Sequence, residues 1–476
     1  MKISRLTAAA TAAVTGITMI ASCPVMASAA LSEANAKFMR AMGAGWNLGN
    51  SLDANTGDWN TVHSAGSETS WGNPKTTKAM IKKVHDAGFE SIRIPVSWAN
   101  HMNSDYTIDS AWFARVKEVV DYAYNDGMYV ILNTHHDNLH SWESGIGYYP
   151  DSAHKETSLR YVESAWTQIA DYFKDYGERL IFETLNEPRL RDTGNEWYFD
   201  PANPDNAAKD SMQVINALNK KAVETIRSRG GGNSTRYIMV PAYAASHFNA
   251  LGNYFKVPED TVKSNKNRIV VSVHAYRPYE FCTEGSKRSF DDAGKQELDN
   301  MFAGLESKYL SKGIPVIIGE MGASDFNNTN ARKQWASYYF NLSKTYGILC
   351  FLWDNNEDSG GESGEKHGHL DRSSLTWRYP EIIDTITGIM ETEQQEDKLY
   401  GDVNGDGNVN LNDLGRLQQY LCDWDVDIDF ELADVDCNGA VNLNDLGLLQ
   451  QYLCDWDVKL GASRQGDPVE LPIIPV

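Results

Sequence analysis

The chain carries 476 residues and a formal net charge of −22, with 65 Asp and Glu against 43 Lys and Arg. That balance excludes binding of nucleic acid through its phosphates, which needs basic surface, and suits neutral partners or cations. The length holds a catalytic domain of roughly 250–350 residues together with something smaller.

At the start, Lys2 and Arg5 precede an apolar run from Leu6 to Met26, and Ala27-Ser28-Ala29 is a small-x-small cleavage site. Residues 1–29 therefore read as a secretory signal peptide, and the protein is expected to be secreted and extracellular. A second reading takes Ile20-Ala21-Ser22-Cys23 as a lipoprotein site with Cys23 lipidated. No later stretch reaches the ~18 apolar residues of a membrane-crossing helix, so membrane insertion is not expected. Without Cys23, the cysteines Cys282, Cys350, Cys422, Cys437 and Cys454 are an odd set that implies no complete disulfide framework.

Eight short β-rich apolar runs follow in order: "GAGWNLGN" from Gly43, "SIRIPV" from Ser91, "YVILNT" from Tyr129, "LIFETLNE" from Leu180, "YIMVP" from Tyr237, "IVVSVHAY" from Ile269, "PVIIGE" from Pro315 and "GILCFLWD" from Gly347. Between them lie segments such as Thr76–Gly88 and Trp112–Gly127, apolar at helical spacing and closed by Gly. Eight such units, with strands apolar on both faces, predict a (β/α)8 barrel of the α/β class over residues 31–390. A doubly wound open sheet is the alternative, but no Gly-rich phosphate loop follows the first strand.

In a barrel of this kind, active groups stand at the carboxyl ends of the strands. Glu187 is expected as the last residue of the fourth strand, before Pro188 stops the ladder. Glu183 is expected about 13 Å deeper, at ~3.3 Å per residue, in a structural pairing. Other strand ends bring His135 and His136, His274 and Tyr276, Glu320 and Trp353. Two carboxyls with imidazoles, a phenol and an indole at one mouth are the equipment of glycoside hydrolysis, where one carboxyl protonates the leaving oxygen and the other attacks the anomeric carbon. Most of the 13 tryptophans should fill the core, while Trp46, Trp59, Trp71 and Trp142 lie near loops that could line a cleft.

These blocks, with "GWNLGNSLDA" (Gly45–Ala54), "SIRIPVSW" (Ser91–Trp98), "ILNTHHD" (Ile131–Asp137), "ETLNEPR" (Glu183–Arg189), "VSVHAYRPYEF" (Val271–Phe281), "IGEMG" (Ile318–Gly322) and "FLWDNN" (Phe351–Asn356), resemble glycoside hydrolase family 5. They look most like its bacterial endo-β-1,4-glucanases, which include xyloglucan- and mixed-linkage-glucan-active members. The resemblance implies a retaining enzyme with Glu187 as acid/base and Glu320 as nucleophile. It implies Asn186 on the sugar 2-hydroxyl, Arg93 and Tyr276 holding Glu320 ionised, His274 tuning Glu187, and His135 and the less certain His136 at the third strand. Trp353 would be the stacking floor. The peptide after this tryptophan is often cis in the family, which would place a cost of about 3 kcal/mol at the site. No catalytic cofactor is implied. The same barrel also carries xylanases and mannanases, and a non-catalytic carbohydrate-binding protein is a third reading that the presence of both carboxyls opposes.

Polar residues 391–400 read as a linker, and residues 401–460 hold a duplication: Leu411–Val426 recurs as Leu443–Val458, differing only at Arg416 versus Leu448. Before each copy stands a loop, Asp402–Asp413 and Asp434–Asp445, spaced like a twelve-residue calcium site. The candidate ligands are Asp402, Asn404, Asp406, Asn408 and Asp413, then Asp434, Asp436, Asn438, Ala440 and Asp445, with Asp where position twelve usually has Glu. Each loop precedes one helix and lacks a helix before it. The pattern resembles a dockerin module, small and all-α, which implies calcium and attachment to a cohesin on a cellulosome scaffold through Leu411-Asn412 and Leu443-Asn444. Residues 461–476 are a tail.

Overall fold

The computed structural model describes residues 31–55, 65–262, 268–358, 365–391 and 399–461, apart from 407, 423, 425, 455 and 457. The expected signal peptide, Trp59, most of the linker and nearly all of the tail lie outside the described residues. The chain divides into two units, residues 1–391 and 392–476.

In the first unit, strands β1 (Ala44–Asn47), β2 (Phe89–Ile94), β3 (Tyr129–Asn133), β4 (Leu180–Glu183), β5 (Ile238–Ser246), β6 (Ile269–His274), β7 (Val316–Met321) and β8 (Leu349–Leu352) form a closed parallel barrel in sequence order. Closure comes from β8 pairing back on β1, Gly45 opposite Phe351 and Trp46 opposite Leu352. Gly45 is required there, because a Cβ would meet the Phe351 ring at 2.3 Å. The expected (β/α)8 architecture is therefore the one observed.

Helices α1 (Glu33–Ala41), α2 (Lys78–His85), α3 (Ser110–Tyr124), α4 (Lys155–Tyr172), α5 (Asn206–Ser228), α6 (His247–Leu251), α7 (Asp292–Lys308), α8 (Thr329–Tyr346) and α9 (Pro380–Met390) alternate with the strands. Their starts are chemically explicit. Thr77, Asp109, Asp205 and Asp291 each accept a backbone N–H of the first turn, a cap worth about 1 kcal/mol. Helix α3 buries Trp112, Phe113, Val116, Val119, Val120 and Ala123, the stripe expected from their spacing. These faces pack on strand residues such as Ile92, Val130 and Ile181 in one continuous core, each buried aliphatic side chain contributing about 1.5–3 kcal/mol.

The second unit contains α10 (Leu411–Leu421), α11 (Phe430–Ala433) and α12 (Leu443–Leu453). Its core is small: Val403, Leu417, Ala433 and Leu449, ringed by Leu414, Leu421, Leu446 and Leu453. The single turn α11 stands before the second loop, where no helix was expected. Cys282 and Cys350 are buried free thiols of the barrel, and Cys422, Cys437 and Cys454 are free in the second unit. No helix among the described residues is long and apolar enough to cross a membrane.

Candidate active site

The deepest element of the site is Arg93 on β2, fully buried. Its guanidinium uses its fork completely: Nε donates to Glu183 at 2.8 Å, Nη1 to Asn47 at 3.1 Å and to Glu320 at 2.7 Å, and Nη2 to Asn186 at 2.6 Å. Glu183 also accepts from Asn133 at 3.0 Å and Ser272 at 2.5 Å. Burial would raise the Glu183 carboxyl, but Arg93, His274 and Ser272 hold it at about 2. Glu183 is therefore a permanent anion that balances Arg93, the structural pairing expected of it. On β7, Glu320 accepts from Arg93 and from the Tyr276 hydroxyl at 2.9 Å.

Glu187 departs from expectation in its path. Strand β4 ends at Glu183, so the chain leaves the ladder before Glu187 and does not carry it four extended residues outward. The imidazole of His274 instead lies between the two glutamates, with Nδ1 2.8 Å from Glu187 and Nε2 3.8 Å from Glu183. Nδ1 is also 3.6 Å from Glu320. One oxygen each of Glu187 and Glu320 and a ring nitrogen of His274 lie within 4.8 Å of one another. Burial would lower His274, yet the carboxylates of Glu320, Glu183 and Glu187 lift it to about 9. Burial raises Glu187 too, but the His274 hydrogen bond and charge outweigh it and hold that carboxyl low. At Glu320 burial dominates and pushes the carboxyl up, against His274 and Arg93. Groups this close titrate as one unit that shares its protons.

Trp353 follows β8 directly, and its ring lies on the backbone of Gly49, where a Cβ would come within 2.6 Å of it. The His135 ring is parallel to it, 2° between planes and 6.0 Å between centroids. Asn133 fixes His135: its side-chain oxygen accepts from Val96 N–H, so its amide group donates to His135 Nδ1 at 3.0 Å and leaves Nε2 as the N–H. His136 sits 3.7 Å from the buried Asp53 and contacts Trp71, which is half-exposed. Burial, aided by neighbouring cationic groups, keeps both rings neutral, His136 down to about 3. The one cis peptide bond among the described residues is Arg277–Pro278. The Trp353–Asp354 bond is thus trans, unlike the frequent family pattern, with Asp354 accepting from Trp46 at 3.2 Å and Leu370 N–H at 2.8 Å.

All nine barrel residues singled out from sequence lie in this neighbourhood. Trp46 does not line a cleft, since it is fully buried, whereas Trp142 is exposed and stacks on His140. Sequence reasoning missed Asn47, Asn133 and Ser272, whose partners are remote in sequence. It also missed Arg189, which stacks on Trp197; an aromatic cluster, Trp197-Tyr198-Phe199, just after the "NEP" block was the available signal.

In the second unit the two loops repeat one hydrogen-bond pattern. Asn404 N–H donates to Asp413 and Asp406 N–H to Asp402 at 3.1 and 3.0 Å; Asp436 N–H donates to Asp445 and Asn438 N–H to Asp434 at 3.3 and 3.1 Å. Asp434, Asp436 and Asp445 offer oxygens within 4.8 Å of one another. Asp413 and Asp445 are buried and close capping boxes on α10 and α12. Hard oxygen donors converge without a cationic side chain among them, which fits a hard dication. Leu411 and Leu443, at equivalent positions, are each 73 % exposed.

The glycosyl hydrolase family 5 cellulase model matches residues 53–359, and the type I dockerin domain model matches residues 400–454. Endoglucanase A of Clostridium longisporum is 42 % identical over 368 residues, 76 % of this chain and 67 % of that protein. Endoglucanase B of Clostridium cellulovorans is 38 % identical over 391 residues, 80 % of this chain and 82 % of that protein. Among solved structures, a lichenase from Caldicellulosiruptor sp. F32 superposes with TM-score 0.70 at 45 % identity, covering 75 % of this chain and 96 % of the other. A broad specificity endoglucanase from Ruminococcus champanellensis with bound cellotriose superposes with TM-score 0.67 at 42 % identity, over 74 % and 97 %. The chain belongs to glycosyl hydrolase family 5, as a glycoside hydrolase of the endoglucanase type that carries a type I dockerin domain.

Proposed function

We propose that the protein is a secreted, retaining endo-β-1,4-glucanase that cuts internal bonds of cellulose and related β-glucans and is held on a cellulosome scaffold by its dockerin. The catalytic domain is read as residues 31–390 and the dockerin as 401–460. The observation that carries the mechanism is the approach of Glu187 and Glu320, with carboxyl oxygens within 4.8 Å. Retaining enzymes hold their two carboxyls about 5–5.5 Å apart, whereas inverting enzymes leave about 6.5–9.5 Å for a water.

In this reading Glu320 attacks the anomeric carbon. Hydrogen bonds from Arg93 and Tyr276 work against the effect of burial on Glu320 and fix its oxygens. Glu187 delivers to the leaving oxygen a proton that it shares with His274 across their 2.8 Å hydrogen bond. Water then attacks the glycosyl-enzyme, with Glu187 as base. Asn186, oriented by Arg93, addresses the sugar 2-hydroxyl, and Trp353 with the His135 N–H forms the floor. The solved relatives, a lichenase and a broad specificity endoglucanase, support a substrate range that extends to mixed-linkage β-glucan. Calcium in the dockerin would be held by Asp402, Asn404, Asp406 and Asp413 and by Asp434, Asp436, Asn438 and Asp445, with the backbone carbonyls of Asn408 and Ala440. It would supply charge neutralisation to that module alone. The exposed Leu411 and Leu443 support docking to a cohesin.

The experiment is azide rescue. Glu320→Ala should regain turnover with azide and yield an α-glycosyl azide. Retained activity in Glu320→Ala without any added nucleophile would refute the assignment. Reducing-sugar release from carboxymethylcellulose, lichenan, xyloglucan, xylan and mannan sets the substrate class.

A further inference from the structure

Arg189 bridges the acid side of the site to an exposed aromatic. Its guanidinium carbon stands 3.7 Å from the centre of the Trp197 ring. Nη1 is 3.8 Å from a Glu187 carboxyl oxygen and donates to the Glu187 carbonyl at 3.0 Å, while Nε donates to Glu196 at 3.3 Å. The Arg189 backbone N–H donates to Asn138 at 2.8 Å, so the loop after β3 anchors it. The Arg189 side chain is only 14 % exposed, whereas Trp197 is 58 % exposed. The indole is held against the cation on one side and offers the rest of its surface to solvent.

An acid must stand beside the sugar that departs. Glu320, Tyr276 and Trp353 come from β7, the end of β6 and β8, whereas Arg189 and Trp197 belong to the segment after β4 that carries Glu187 itself, and β4 lies across the closed barrel from β8. A saccharide lying on Trp197 would therefore be the leaving group, and its binding would press on the cation that faces the acid. We infer that Arg189 is a positioning residue that couples a leaving-group sugar seated on Trp197 to the proton affinity of Glu187. The inference rests on the reading of Glu187 as the acid.

The proton moves within the double displacement proposed above. As the Glu320 oxygen bonds to C1, the C1–O pair goes to the leaving oxygen, which takes the Glu187 proton. Glu187 becomes an anion, stabilised by Arg189 and His274, and later takes a proton from water as the water oxygen bonds to C1 and the C1–O pair returns to the Glu320 carboxylate. The charged or titratable groups facing Glu187 are His274 from β6, Glu320 from β7, Arg93 from β2, His136 and Tyr148 from the β3–α4 loop, Tyr276, Glu365 from the loop after β8, and Arg189. Of the two arginines, Arg189 is the one whose loss leaves the Arg93–Glu183–Glu320 network intact.

The test compares cellotetraose with 2,4-dinitrophenyl β-cellobioside, whose leaving group needs no proton. In Arg189→Leu, kcat/KM for cellotetraose should fall about tenfold or more. Removing the cation raises the proton affinity of the acid, so the alkaline limb of the profile should move up by about one pH unit. The dinitrophenyl substrate should lose far less, and Arg189→Lys should keep the limb in place. Trp197→Ala should raise KM for cellotetraose with little change for the aryl substrate. Equal losses on both substrates with an unmoved limb would overturn the proposal, as would an unchanged cellotetraose KM in Trp197→Ala. Glu187→Gln separates this from failure of the underlying reading: as the acid variant it should release dinitrophenolate in a burst while losing cellotetraose hydrolysis. If Glu187→Gln lost both equally, the assignment of Glu187 would itself fall.

Discussion

The barrel and the dockerin handle buried negative charge in opposite ways. In the barrel, Glu183 and Glu320 are answered by Arg93, and Glu187 by His274, side chains built into the same strands and loops. In residues 401–460, thirteen Asp and Glu face only Arg416 and Lys459, and the loop carboxylates accept backbone N–H groups instead. The first arrangement pre-organises its electrostatics before any ligand arrives, which is what a catalytic site needs. The second leaves its charge uncompensated by side chains, and with calcium bound as proposed its stability would follow that ion's concentration.

The contrast is broken most severely at the catalytic carboxyls. Glu320→Ala should lower kcat on the order of 10⁵–10⁶-fold and Glu187→Ala about 10²–10⁴-fold on unactivated substrate, in assays of soluble β-glucan, with circular dichroism unchanged. Next in size, Glu183→Gln leaves Arg93 short of a buried counter-charge and should cost about 3–5 kcal/mol of barrel stability, read by chemical denaturation. Comparable activity loss without that destabilisation would mean that Glu183 acts in the chemistry.

Chelation addresses the other half. At a calcium concentration about a thousandfold above the dissociation constant, the ion contributes about 4 kcal/mol to the module. EDTA should therefore abolish cohesin binding and expose the chain after about residue 395 to protease, while hydrolysis of a soluble β-glucan stays nearly unchanged. Equal loss of hydrolysis would place a metal in the barrel.

The smallest effect sharpens the comparison through pH. His274 is raised to about 9 from an ordinary 6.5. Its contribution is fully present below pH 6.5 and is lost as pH rises through about 9, amounting to at most about 3 kcal/mol. Denaturation of the barrel should show this loss between pH 7 and 9.5, and His274→Gln should remove it. The dockerin, residues 401–460, contains no histidine and should show no such transition in that window.

Much of this was legible in sequence because it is local. Runs of Val, Ile and Leu and Gly stops mark strands and helices without knowledge of neighbours, and His274 and Glu320 announce themselves as polar residues at strand ends, whereas Arg93 is marked by the family resemblance. What escaped is set by closure of the barrel. Asn133, Ser272 and Asn47 look like ordinary strand residues until strands far apart in the chain meet around Arg93. Glu187 reads as a strand end, yet β4 stops at Glu183 and the turn brings both glutamates to one imidazole. Trp46 reads as a loop-side aromatic but is buried beneath Asp354. In the dockerin, by contrast, repeat and loop spacing carry nearly everything, since each copy is one local unit.

The most direct test of the central claim, that Glu187 and Glu320 work as a closely spaced double-displacement pair, is the stereochemistry of the first product. Proton NMR of cellotetraose hydrolysis in the first minutes should show the β-anomer of the new reducing end appearing first, with the α-anomer growing only by mutarotation. The α-anomer appearing first would mean inversion, and the reading of Glu320 as nucleophile would be wrong.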